Sequence, residues 1–103
     1  MRFLVKATWD TEAGNRLAKE GRLGSTIQSI IEDIKPEAVY FTADHGKRTG
    51  YFFVNMQDAS QMPAIAEPLF LTGNATVEFL PVMLPEDLGK AGPSIEKAAK
   101  KYG

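Results

Sequence analysis

From Arg2 to Trp9 apolar and polar side chains alternate, with Phe3, Val5, Ala7 and Trp9 on one side and Arg2, Leu4, Lys6 and Thr8 on the other. Period two with aromatic and β-branched content predicts a strand with one buried face. The period then changes. Leu23, Ile27, Ile30, Ile31 and Ile34 follow the i, i+4, i+7, i+8, i+11 spacing of a single helical face, and Pro36 predicts its end. Upstream, Asp10 or Thr11 offers a capping oxygen, but Gly14, Gly21 and Gly24 each cost about 1 kcal/mol relative to alanine in a helix interior. The pattern predicts either one long helix with a weak first half or a loop followed by a helix from about Leu23.

Ala38 to Ala43 and Thr49 to Met56 read as the next two strands, with Val39 and Phe41 opposing Ala38, Tyr40 and Thr42, and Tyr51 and Phe53 opposing Phe52, Val54 and Met56. Between them, Asp44-His45-Gly46-Lys47-Arg48 is turn material. Asp58 to Gln61 resembles a capping box in which Gln61 reaches back to the Asp58 amide. A helix that starts at Ser60 places Pro63 in the first turn, where its missing donor costs nothing. Ile65, Leu69 and Phe70 form its apolar side, Pro68 marks an irregularity, and Gly73-Asn74 is the stop. Thr76 to Met83 alternates as a fourth strand, with Pro81 predicting an edge position or a bulge. In the tail, Pro85-Glu86-Asp87 suits a short helical start. Ser94 can cap a last helix whose Ile95, Ala98, Ala99 and Tyr102 oppose Lys97, Lys100 and Lys101.

Strand, helix, strand, strand, helix, strand is the order of an α+β, ferredoxin-like unit: a four-stranded antiparallel sheet with two helices on one face. The reading assigns residues 1–88 to this domain and 89–103 to a C-terminal helical extension. The sheet face away from the helices is expected to be polar in a monomer. Here Leu4, one or other face of the Tyr51–Met56 strand, and either Leu80 with Val82 or Val77 with Phe79 are left outside. A patch of that kind predicts a homodimer formed through the sheet faces.

The order of elements, the doubly apolar sheet and the closing segment "VEFLPVMLPEDL" resemble the dimeric α/β-barrel superfamily, in which two ferredoxin-like sheets pair into one barrel. Pro81-Val82-Met83 followed by Glu86-Asp87-Leu88 resembles the end of its small bacterial members of uncharacterised function, and the likeness runs from Arg2 to Leu88. The superfamily includes muconolactone isomerases, cofactor-free monooxygenases, haem-degrading enzymes and binding domains of transcription regulators. The resemblance therefore implies a fold and a dimer but does not choose an activity.

With 103 residues the chain is expected to form one core. Its 12 basic and 13 acidic residues are mixed along the sequence, for a net charge of −1, so no field is expected to recruit nucleic acid or an anionic membrane. The first residues are too weakly apolar for a signal peptide or a membrane span. There is no cysteine, which removes thiolate nucleophiles and thiolate metal sites and fits a reducing, cytoplasmic setting. With a single histidine as well, no metal and no cofactor is expected.

The candidate chemistry is sparse. Asp44 and His45 are the candidate acid/base pair, since histidine titrates near neutrality. Neighbours in a strand point to opposite faces, though, so the pair forms only if the turn bends them together, and a plain turn is the favoured reading. Trp9, Tyr40 and Phe53 are the candidates to line an apolar cleft between sheet and helices, with core packing the favoured reading for Trp9. Asn55 is an amide on an otherwise apolar strand, which needs a ligand, a partner chain or water. Arg16, Lys19, Arg22, Lys47 and Arg48 read as solvated surface rather than an anion site. The functional expectation is a protein that binds or transforms a small apolar or aromatic molecule. A non-catalytic dimeric interaction or regulatory module is the alternative.

Overall fold

The computed structural model describes all 103 residues. In chain order they form β1 (Arg2–Thr8), α1 (Thr11–Lys19), α2 (Leu23–Ile34), β2 (Ala38–Asp44), β3 (Lys47–Asn55), α3 (Met62–Gly73), β4 (Thr76–Pro81), α4 (Pro85–Lys90) and α5 (Gly92–Tyr102), with a single 3₁₀ turn at Ala59–Gln61 before α3. The four strands make one antiparallel sheet in the order β2-β3-β1-β4. The fold is α+β, and β4, which carries Pro81 as its last residue, is an edge strand.

The glycine-rich segment after β1 is neither a loop nor half of one long helix. It is a helix of its own, α1. Asp10 accepts a hydrogen bond from the Ala13 amide at 3.0 Å and so caps it. Gly21, at φ +71°, ends it. The Arg22 amide donates to the Leu17 carbonyl and the Gly21 amide to that of Ala18, the paired bonds by which a left-handed glycine closes a helix. A residue that weakens a long helix is thus the stop of a short one. Lys35 closes α2 in the left-handed conformation, one residue before Pro36.

Before α3, the Ser60 amide donates to Asp58 Oδ1, while Gln61 Oε1 accepts from the Gln57 amide rather than that of Asp58. Pro63 falls in the first turn of α3, and the left-handed cap at its other end is Asn74, not Gly73.

Register sets the two faces of the sheet. Val5 lies opposite both Phe52 and Phe79, and Val39 opposite Phe52. This face is covered by α1, α2 and α3: Val5, Ala7, Trp9, Phe52, Val54 and Met56 form one buried cluster with Leu17, Ile30, Ile65 and Leu69. Each fully buried side chain of this size contributes about 1.5–3 kcal/mol relative to exposure.

The other face carries three rows across all four strands: Leu80, Leu4, Phe53, Ala38; then Glu78, Lys6, Tyr51, Tyr40; then Thr76, Thr8, Thr49, Thr42. Two ion pairs cross β3 on this side. Lys6 Nζ lies 2.6 Å from Asp44 Oδ2 and Arg2 Nε 2.7 Å from Glu37 Oε2. They frame an apolar window of Leu4, Phe53, Leu80 and the tyrosine rings, in which Tyr40 is 63% and Leu80 49% exposed.

The expected boundary at residue 88 falls inside α4, and α4 and α5 contain no buried residue. Together they extend the molecule to 59 × 28 × 20 Å, with a radius of gyration of 17.2 Å. A compact chain of this length has a radius near 13 Å. No helix is long and apolar enough to cross a membrane.

Candidate functional site

At one end of the helix-covered face, β1 stops at Thr8 and the chain turns into α1. Trp9 is the last side chain on the core side of that strand, and its amide donates to the Arg48 carbonyl of β3 at 2.9 Å. Its indole packs on Gly73: a Cβ at position 73 would come within 2.7 Å of Trp9 Cδ2. Beside the indole is a cavity of about 150 Å³ between the start of α2 and the β2–β3 hairpin. Leu23 and Ile27, four residues apart on α2, form one wall, Trp9 and Phe41 the others, and Gly50 the floor. Gly50 keeps the aromatic rings close, since a Cβ there would meet Phe52 at 2.8 Å and Phe41 at 3.2 Å. Phe41 and Phe52 stand edge to face, ring centres 6.1 Å apart, a favourable arrangement of two quadrupoles.

Arg48 borders the same cavity. Its guanidinium lies over α1, where Nη1 donates to Asn15 Oδ1 at 3.0 Å. It passes so close to Gly14 that a Cβ on that residue would be 2.7 Å from Nη1. No carboxylate or histidine lines the cavity. The arrangement can bury an apolar group and present a cation to it, but it holds no general base.

The sequence-derived candidates are spread over four places. Trp9 lines the cavity. Tyr40 and Phe53 lie on the opposite face of the sheet, ring centres 6.4 Å apart and nearly perpendicular. Asn55 ends β3, where its Oδ1 accepts from the Met1 amino group at 2.9 Å. Asp44 ends β2 and His45 opens the two-residue hairpin loop, with His45 at φ 52° and Gly46 at φ 76°, the positive pair that a type I′ turn requires. The turn does bend them together, His45 Nδ1 lying 3.1 Å from Asp44 Oδ1, but the imidazole is 89% exposed and outside the cavity.

Asp44 answers mainly to Lys6. The hydrogen bond from the ammonium, then that from His45, holds its carboxyl below the ordinary range, and the same bond raises Lys6. Arg2 lowers Glu37 likewise and is raised by it. No group of three or more histidine, aspartate or glutamate side chains converges to hold a metal ion.

Leu23, Ile27, Phe41, Thr42, Arg48, Thr49 and Gly50 are the cavity residues that the sequence reading did not select. Their signal was a glycine inside a helix (Gly14) and another inside a strand (Gly50), each marking a close approach by another group. Compared with models of known protein families and with curated proteins, the chain matches none.

Proposed function

We propose that the protein binds one small apolar or aromatic molecule in the cavity between α2 and the β2–β3 hairpin. The observation that carries this reading is the cavity itself: a half-open apolar hollow beside a buried tryptophan, walled by Leu23, Ile27 and Phe41. Its volume of about 150 Å³ is that of an engineered cavity that takes up benzene, so the ligand is the size of a single ring. With no carboxylate or imidazole on its walls, binding is favoured over catalysis.

The experiment is a titration of toluene and of cyclohexane, followed by Trp9 fluorescence and by chemical-shift changes at Leu23, Ile27 and Phe41. Saturable shifts confined to those residues, and lost in Ile27→Phe, support the reading. Absence of saturation by either compound up to its solubility overturns it.

A homodimeric interaction module is the second reading, favoured by the apolar window on the uncovered sheet face and by the exposed side chains of α5, Ile95 at 55% and Tyr102 at 78%. The strand order β2-β3-β1-β4 with helices on one face is what a ferredoxin-like unit would have, and it supports the likeness to the dimeric α/β barrels. In that reading the rows of Leu4, Phe53 and Leu80 meet their own copies across a two-fold axis. Sedimentation of the wild type as a dimer and of a Phe53→Lys variant as a folded monomer is the expected result. A wild type that sediments as a monomer at low micromolar concentration rejects it.

A further inference from the structure

We infer that the cavity ligand is an anion, a monocyclic or short-chain carboxylate whose acid group pairs with Arg48. The inference rests on the ligand-binding reading above and adds the chemical class.

Three observations carry it. First, Arg48 lies on the helix-covered face, where it pairs in register with Ala43 and borders the apolar walls of the cavity. Second, its charge is uncompensated. Arg2, Lys6 and Arg22 each lie within ion-pair distance of a carboxylate; Arg48, like the remaining lysines and arginines, does not, but it alone of them borders the apolar cavity. Its one side-chain partner is the neutral amide oxygen of Asn15, and a guanidinium has five N–H donors. Third, the guanidinium is positioned. The single bond to Asn15 holds one end, and Gly14 provides a surface with no Cβ for it to cross, since any larger residue there would meet Nη1 at 2.7 Å and Cδ at 3.3 Å. An exposed guanidinium, bonded once to Asn15 and with donors to spare beside an apolar cavity, matches a ligand with an apolar body and a planar anionic head, the group that guanidinium recognises by paired hydrogen bonds. A plain strap between β3 and α1 needs the Asn15 bond but no selectivity for charge at the cavity.

The test compares benzoate with benzyl alcohol and toluene, matched in ring and different in head group, on the full chain at neutral pH and low salt. Benzoate is expected to bind about tenfold to a hundredfold more tightly than benzyl alcohol, the range for a hydrogen bond to a charged group. Arg48→Gln is expected to abolish that preference while toluene still binds, which also shows the variant to be folded. Gly14→Ala, which displaces the guanidinium without removing its charge, is expected to reduce the preference in the same direction. Equal binding of benzoate and benzyl alcohol, or a preference that survives Arg48→Gln, overturns the carboxylate assignment and leaves the cavity as a site for neutral molecules. Failure of all three compounds to bind overturns the ligand-binding reading and this inference with it.

Discussion

Gly73 and Trp9 share one space: the indole occupies the volume a side chain at position 73 would need, with Cδ2 at 2.7 Å and Cε3 at 2.8 Å from where its Cβ would stand. Gly73 is an ordinary helical residue at the end of α3, and the left-handed turn that follows is made by Asn74. Its smallness therefore serves packing, not backbone conformation.

Gly73→Ala should accordingly destabilise the protein by about 1–3 kcal/mol, the cost of overfilling a packed core. Urea denaturation followed by the emission of Trp9, the one tryptophan, measures it. The native emission should shift as the indole is displaced. An unchanged midpoint and spectrum would mean that the ring moves aside without cost.

The Lys6–Asp44 pair predicts how stability follows pH. The folded pKa of Asp44 is lowered by Lys6 and, less, by His45. Its contribution is thus present above the unfolded value near 3.9 and is lost as the pH falls through the lowered folded value. Lys6 is raised, so its contribution is complete below about 10.4 and is lost as the pH rises through the raised value. Asp44→Asn should be less stable than the wild type at neutral pH and match it in strong acid. Denaturation midpoints of both proteins across that range decide the matter, and a constant offset at every pH would contradict the assignment.

His45 occupies the first positive-φ position of the hairpin, where asparagine is strongly preferred. His45→Asn should raise stability by about 0.5 kcal/mol, a typical gain from optimising such a position, and leave toluene binding unchanged. Loss of ligand binding in this variant would give His45 a part in the site.

Removal of residues 85–103 deletes no buried side chain. The shortened chain should unfold within about 0.5 kcal/mol of the full one, as surface changes usually do. In the full chain the amides of α5 should exchange much faster than those of Val5 and Phe52, which are 0% and 1% exposed. Slow exchange in α5 at concentrations where the protein is monomeric would show contacts that the fold does not provide.

Much of this architecture is written locally. The alternation from Phe3 to Trp9 and from Thr76 onward yields strands, the isoleucine stripe yields α2, Pro36 bars its continuation past the Lys35 cap, and His45-Gly46 turns the hairpin, because each depends only on side-chain period or on a residue's own φ. The uncovered apolar face was also legible, since a strand that is apolar on both sides is so whichever side is buried.

What the sequence left open depends on residues far apart in the chain. Gly14, Gly21 and Gly73 look alike in the sequence, yet one clears a path for Arg48, one ends a helix with a positive φ, and one admits Trp9. Arg48 reads as turn surface until Asn15, 33 positions away, is brought against it. Tyr40 and Phe53 share aromatic character with Trp9 but face the other side of the sheet, because register assigns each side chain to a face and a shift of one residue would exchange them. Local periodicity determined the elements; only the packing of distant segments decided which small residues make room and which basic side chain comes to lie beside the cavity.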